Sequence, residues 1–463
     1  MSLIVKKEDL DKKEEAKLLK ESKVRELRTQ YKPYPKTHKL YVETAREYIF
    51  PRTIGIEGKS WRKMYGSPKY KISFTYKKKP FTGNGGDHPD FRGEDRNQEE
   101  IVQEGVRRLK EEGHAFYNLS PGYGKTACGI ETIRRLGRVA LWVVFNVSVQ
   151  EQTYKELKEE TDVRVHFWKG KKEPSDDAQI VIIGLVKASK LTPKQLSRYQ
   201  MVVLDEVDQT TAKSFFPLYP KIAPDYLLGL SATIKKSNGL DKALFKYFGP
   251  QKEFIYRFIE KPHATVIKLQ TDFTPNIEMV DNKALGTVQV NNHEVNRSLA
   301  ENEDRNKMIL KLVKEKSLEG QCFILSPRKE NIKWFYEKLE KKGYDVDYKT
   351  VGKKDLDVTK RIIIGGLQGV GRGTDTNAKF LFILGIPPRL AQFAGRLRDP
   401  EGSIYILVDN YAKFETDWKR KCLPYLKKLG CVLMFQNGLG EPQPYVVTKP
   451  PKMKEESIID QYI

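Results

Sequence analysis

The sequence predicts an α/β protein in which two tandem parallel-sheet domains are preceded by a small basic domain and followed by a C-terminal extension. Three observations carry this. Short apolar runs at 115–119, 139–145, 180–183, 201–204 and 226–230 alternate with amphipathic helical stretches, as strands joined by crossover helices do. A second series follows at 321–325, 361–364, 380–384 and 403–408, with a helix over 329–342 closed by Gly343. The 463 residues also exceed what one core of ordinary size encloses.

The remaining segments are read around these two series. Residues 1–31 mix Lys and Glu with Leu10, Leu18, Leu19, Val24 and Leu27, so a charge-laced helix standing in solvent is expected. Pro33 and Pro35 mark a boundary, after which 32–90 is expected to form a separate basic module that binds nucleic acid. Within 32–79, 13 Lys or Arg against Glu43, Glu47 and Glu57 leave +10. The run Lys77-Lys78-Lys79 with Trp61, Tyr65, Tyr70, Phe74 and Tyr76 suits a clamp on duplex or a stacking surface for bases, and equally a small β core with a basic solvated face. The first α/β domain spans 91–250, a connector with strands of its own 251–300, the second α/β domain 301–410, and the extension 411–463.

Composition narrows the function. With 83 Lys and Arg against 61 Asp and Glu the formal net charge is +22, which calls for a polyanionic partner, nucleic acid first. A hydrophobic share of 39% and an aromatic share of 11% belong to a folded protein rather than a disordered polycation. No apolar run approaches the ~20 residues a membrane span needs, and the N-terminal segment becomes charged before an apolar stretch could act as a signal. Neither membrane insertion nor secretion is expected. Cys128, Cys322, Cys422 and Cys431 are too scattered for a disulfide framework or a CxxC metal site and read as reduced thiols in an intracellular compartment.

The chemistry lies at the ends of strands. Phe116 to Leu119 runs into Ser120-Pro121-Gly122-Tyr123-Gly124-Lys125-Thr126 and then a helical stretch. A turn with few Cβ atoms lets backbone N–H groups face phosphate oxygens, and the helix that follows adds the positive end of its dipole. Lys125 would reach the β- and γ-phosphates of ATP and Thr126 would ligate Mg²⁺. Leu119 stands where the general GxxxxGKT pattern has its first Gly. Some 80 residues on, Met201 to Leu204 end in Asp205-Glu206-Val207-Asp208. Acids at a strand's carboxyl end face the ligand crevice, so Asp205 is placed to hold Mg²⁺ and Glu206 to orient or deprotonate the attacking water.

With these elements the chain resembles the superfamily 2 nucleic-acid helicases and translocases, whose two α/β domains are RecA-like. Gly229-Leu230-Ser231-Ala232-Thr233 resembles the motif that couples nucleotide state to the nucleic-acid site, implying coupling roles for Ser231 and Thr233 and for Asp208 and Gln392. Arg96-Asn97-Gln98 resembles the upstream Gln motif, which makes Gln98 a candidate adenine reader. The segment Phe145 to Gln152, with Asn146, and Ile182-Ile183-Gly184 fall where the family grips the nucleic-acid backbone. In Gln392-Phe393-Ala394-Gly395-Arg396-Leu397-Arg398 the arginines resemble the fingers that stabilise charge on the transferring phosphoryl group, with ATP bound between the domains. The usual spacing would put the second arginine where Asp399 stands, so Arg396 and Arg398 both remain candidates. Gly373 and Asp375 resemble a motif touching both backbone and ATP cleft, and Ser326-Pro327-Arg328 offers Arg328 to a backbone phosphate.

A narrower resemblance, to the transcript-release DNA helicases of poxviruses and other large cytoplasmic DNA viruses such as African swine fever virus, is carried by three further segments. These are Asn238-Gly239-Leu240-Asp241-Lys242, Asp304-Arg305-Asn306-Lys307 and the basic stretch near Tyr425 to Gly430. The sequence departs from those relatives at Asp208, where they generally have His, and at Ile234, where they have Pro. The resemblance implies an ATP- and Mg²⁺-dependent DNA helicase moving 3′ to 5′ on single-stranded or duplex DNA. It also implies work with the transcription machinery, in a cytoplasmic viral factory or the virion. An RNA helicase, and an ATP-switched assembly factor without strand separation, remain the alternatives.

Overall fold

The structure, a computed structural model, describes residues 3–28, 34–54, 71–84, 97–120, 122–145, 147–211, 215–216, 218–222, 224–232, 234, 239–257, 265–282, 287–350, 356–367, 378–387, 402–428 and 431–446. The chain divides into two compact units, Met1–Ile259 with Lys283–Thr287, and Glu260–Asn282 with Val288–Ile463. Both are α/β with largely parallel sheets, the class the alternating runs predict.

The first unit opens with β1 (Leu3–Lys6), α1 (Lys12–Glu21), β2 (Lys23–Arg25), β3 (Thr37–Lys39), β4 (Val42–Glu43) and β5 (Glu47–Phe50). The solvated helical extension expected over 1–31 is not what forms. Among the described residues of that stretch only Lys12–Glu21 is α-helical, capped by Asp11, whose carboxylate accepts from the Lys13 and Glu14 amides. Its Leu18 is wholly buried with Val5, Tyr41, Tyr48, Phe50 and Ile54, and β1 pairs with β5. One apolar face of a ten-residue helix sufficed, although its charged residues dominate the sequence pattern.

Nor does the described part of 32–90 stand apart. The buried Arg52 guanidinium donates to the carbonyls of Gly113 and Pro224 (2.8 Å for the latter), and Tyr247 Oη donates to Leu40 O at 2.8 Å. Ile72 and Phe74 lie in the main core of the first unit. Phe74, buried there, and Tyr76, whose hydroxyl donates to Glu131 at 3.2 Å, are therefore structural rather than a stacking surface. Trp61, Tyr65 and Tyr70 lie outside the described residues.

The main sheet contains β6 (His114–Leu119), β7 (Ala140–Val144), β8 (Val165–Phe167), β9 (Ile180–Gly184), β10 (Met201–Asp205), β11 (Tyr226–Ser231) and β12 (Ile255–Arg257), in the order β12-β6-β11-β10-β7-β9-β8. All its pairings are parallel, and the central strands are buried apolar runs, as a sheet covered by helices on both faces requires. Helices α2 (Gln98–Glu112), α3 (Lys125–Leu136), α4 (Val147–Glu160), α5 (Leu185–Ala188), α6 (Pro193–Leu196), α7 (Leu218–Lys221) and α8 (Lys242–Phe248) belong to this unit. Gly129 lets α3 lie close on the sheet, since a Cβ there would sit 2.8 Å from the Trp142 ring. Register puts Asp205 opposite Leu230 and Ser231 opposite Asn118, so the carboxyl ends of β6, β11 and β10 share one edge.

The second unit holds β13 (Thr265–Gln270), the short strands β14 (Met279–Asn282) and β15 (Thr287–Val290), α9 (Asn292–Glu301), α10 (Glu303–Glu319), β16 (Cys322–Ser326), α11 (Lys329–Glu340), β17 (Val346–Lys349), β18 (Ile362–Gly366), β19 (Phe380–Ile383) and β20 (Ser403–Val408). Beyond them α12 (Ala412–Asp417) continues through a π-turn into α13 (Leu423–Lys428), then β21 (Val432–Asn437) and β22 (Gln443–Pro444). The sheet order is β17-β18-β16-β19-β20-β13-β21-β22. Residues 251–300 are thus no separate connector: β12 edges the first sheet and β13 lies inside the second. Likewise β21 pairs with β13 and Trp418 is fully buried, so the extension as far as 446 completes this core.

The thiols of Cys128, Cys322 and Cys422 are buried, and burial pushes those of Cys322 and Cys422 up to about 12, which leaves them protonated and unreactive. Among the described residues no helix is long and apolar enough to cross a membrane.

Candidate nucleotide and nucleic-acid site

The turn after β6 is built by two glycines. Gly122 and Gly124 have φ of +81° and +84°, a region that favours glycine, and Tyr123 N donates to Ser120 O at 3.2 Å. Gly124 caps α3 without a side chain, so Lys125 and Thr126 open the helix beside amides that a phosphate can receive. Lys125 Nζ rests on the carbonyls of Leu119 and Ser120 at 3.2 and 3.4 Å. These are long, neutral-acceptor bonds that a phosphate oxygen would outcompete.

At the end of β10, Asp205 is buried and its carboxyl is pushed up to about 6, first by burial and then by Glu206, while Lys125 pulls the other way. Its oxygens accept from Trp142 Nε1 at 3.3 Å and from the Glu206 amide at 2.9 Å. Glu206 has φ of +50°, unusual for a non-glycine residue and of the kind found where function holds the backbone. Two adjacent carboxylates, one buried and reluctant to ionise, form a donor set suited to a hard divalent cation. On β11, the next strand in sequence, Ser231 Oγ donates to Asp208 Oδ1 at 3.1 Å, so the strand carrying the Ser-Ala motif is tied directly to the acidic box. Thr233 lies outside the described residues.

Gln98 takes an unexpected partner. Its amide nitrogen, buried, donates to Tyr123 O at 2.8 Å and so props the phosphate turn from α2. The same helix is clamped to α3 by Arg135, which reaches both oxygens of Glu99 at 2.7 and 2.6 Å and also Glu131 at 2.7 Å. Neither this clamp nor Trp142 was visible in the sequence, because their partners lie on other elements.

The backbone-gripping candidates are spread: Gly184 ends β9 on the carboxyl edge that the phosphate turn and the acidic box share, whereas Lys77 and Lys78 meet the far end of α4. Gly184 is in register with Val144, and a side chain on Gly184 would meet Gln150 at 3.0 Å. Phe145, Val147 and Val186 are exposed there, and Lys187 lies over the Trp168 ring at 4.4 Å. Lys77 donates to Lys158 O at 2.9 Å and Lys78 pairs with Glu160 at 3.2 Å, at the end of α4, while Lys79 is exposed. In the second unit Arg328 ends the turn after β16. Pro121, Asn146, Gly373, Asp375, Gln392, Arg396 and Arg398 lie outside the described residues.

The sequence pattern of the family described as Type III restriction enzyme, res subunit, matches residues 94–236, the stretch from the Gln motif through Ser231 and Thr233. In fold, site and this match over part of its length the chain is similar to the superfamily 2 helicases, which are ATP-hydrolysing enzymes. It resembles the helicases of large DNA viruses. A protein of Invertebrate iridescent virus 6 named as a helicase is 27% identical over 75% of this chain and 84% of its own length. One from Acanthamoeba polyphaga mimivirus, named as an ATP-dependent RNA helicase, is 25% identical over 65% of this chain and 60% of its own. African swine fever virus has a protein of the same description that is 29% identical over 34% of this chain and 32% of its own.

Proposed function

We propose that this chain is a helicase, a DNA-directed motor that uses ATP with Mg²⁺ and acts during viral transcription, releasing transcripts. The observation that supports it most is the convergence at one sheet edge of the Lys125 turn, the Asp205–Glu206 pair and the Ser231–Asp208 bond. Thr126 and Asp205 would hold Mg²⁺, which when bound offsets phosphate charge. Lys125 binds the β- and γ-phosphates, Glu206 orients the water and accepts its proton, and Arg396 or Arg398 stabilises the transferring phosphoryl group. Gly373 and Asp375 contact the nucleotide side of their motif. Ser231, Thr233, Asp208 and Gln392 pass the nucleotide state to the backbone contacts at Asn146, Gly184, Arg328 and Lys77 to Lys79. Such contacts to phosphates are tolerant of sequence and sensitive to salt.

Strand displacement tests the substrate. Short DNA duplexes with a 3′ single-stranded tail should be opened, and those with a 5′ tail should not; opening of RNA duplexes alone would replace the DNA assignment by the RNA one. The mimivirus relative's description is what favours that second reading.

The metal assignment predicts a pH dependence. Because the folded Asp205 carboxyl holds its proton more tightly than an unfolded one, the full cost to stability applies above about pH 6 and shrinks as pH falls from there to the ordinary carboxylate range, below which it is gone. Mg²⁺ needs the ionised form, so the Mg²⁺-dependent part of nucleotide affinity should weaken about tenfold per unit below pH 6. Titration of a fluorescent ATP analogue with and without Mg²⁺ from pH 4.5 to 8 measures this, and Asp205→Asn should abolish the dependence.

A further inference from the structure

We propose that Asn331 is a positioning residue that sets Arg328 for its phosphate contact. The proposal rests on Arg328 being such a contact, as read above. Asn331 lies in the first turn of α11, 1% exposed, and both ends of its amide are used. Nδ2 donates to Ala300 O at 3.2 Å and to Asn306 Oδ1 at 2.9 Å, and Oδ1 accepts from Ser326 Oγ at 2.9 Å. The Ser326 hydroxyl in turn accepts from the Arg328 amide at 3.2 Å. Asn306 Nδ2 closes the cluster on Ala300 O at 2.7 Å.

The chain of bonds therefore runs from the α9–α10 junction, through Asn331 and Ser326, to the backbone of Arg328. With the Arg328 amide fixed, its guanidinium sits with Nη1 2.7 Å from His293 Nε2 and Nε 3.3 Å from a Glu330 oxygen. The cluster is built wholly from protein groups, Asn306, Asn331 and Ser326 being 1% exposed. An apolar side chain would pack a helix's first turn as well, so full use of the amide argues for control of the turn's shape. Such a group acts through Arg328, and removing it should cost what misplacing Arg328 costs.

The readout is the DNA concentration that half-saturates ATP hydrolysis by the full chain, compared for Arg328→Ala, Asn331→Ala and the double variant. Losing one charge-assisted phosphate bond is expected to raise that concentration about tenfold. Asn331→Ala should raise it by a similar factor, with kcat at saturating DNA changed less than about twofold, and the double variant should be no worse than Arg328→Ala alone. Ser326→Ala, which removes only the relaying hydroxyl, should reproduce the effect should Asn331→Ala fold poorly. If Arg328→Ala leaves the half-saturating concentration unchanged, the reading of Arg328 itself fails. If Arg328→Ala raises it but Asn331→Ala and Ser326→Ala do not, or the effects multiply in the double variant, the positioning role is overturned while the Arg328 contact stands.

Discussion

Lys125→Ala is expected to lower ATP turnover by about 10³-fold, the scale on which removal of one preorganised charge donor acts at a reacting phosphate or oxyanion. The side chain is half-buried and spends its ammonium on two long carbonyl contacts. Those bonds are worth ~1 kcal/mol at most to the fold, so the variant should remain folded. Nucleic-acid binding in low salt should survive, because the phosphate-gripping candidates are carried elsewhere. Steady-state phosphate release, paired with a DNA-binding titration, separates these effects. Undiminished hydrolysis would remove the phosphate turn from the site.

The second large effect is on stability and falls on the second unit. Arg305, 2% exposed, reaches both oxygens of Asp409 at 2.7 and 2.9 Å, and Asp409 also accepts from Thr271 Oγ1 at 2.7 Å. The three residues come from α10, the end of β20 and the end of β13, so the pair ties strands far apart in sequence. Arg305→Ala leaves a buried carboxylate without its cation and should cost about 3–5 kcal/mol. For a unit of this size the corresponding calorimetric transition should fall by roughly 6–20 °C. Arg305→Lys should rescue little, since an ammonium cannot make the two-pronged contact. A shift of less than a degree or two in Arg305→Ala would mean that the pair does not hold the strands.

That pair shows how far the sequence could be read. Arg305 lies in a segment whose only signal is its resemblance to viral relatives, and its partner lies 104 residues away. The strands of both sheets that are long, apolar and buried on both faces were legible, from β6 through β11 and from β16 through β20. β13 was not, although it lies inside the second sheet, because Lys268 interrupts its apolar pattern. The structure accommodates that lysine by pairing it, buried, with Glu415 at 2.6 Å. The edge strands β8, β12 and β17 are three or four residues long, too short for periodicity to register.

In the site, the glycines, Lys125 and the acidic box could be found because phosphate and metal chemistry demands those residue types at strand ends. Gln98 was found as a motif, but its bond to Tyr123 O depends on how α2 meets the turn. Trp142, which donates to Asp205, sits in an apolar run and carried no signal at all. The Ser231–Asp208 bond joins two motifs recognised separately, and only the pairing of β10 with β11 brings them together.

The most direct test is ATP hydrolysis by the full chain, measured with and without single-stranded DNA, with Glu206→Gln as control. Saturating DNA should stimulate wild-type turnover at least several-fold, and Glu206→Gln should lose hydrolysis while still binding ATP. Turnover that is indifferent to DNA and to RNA, or that survives in Glu206→Gln, would contradict a motor whose ATP site is coupled to its grip on nucleic acid.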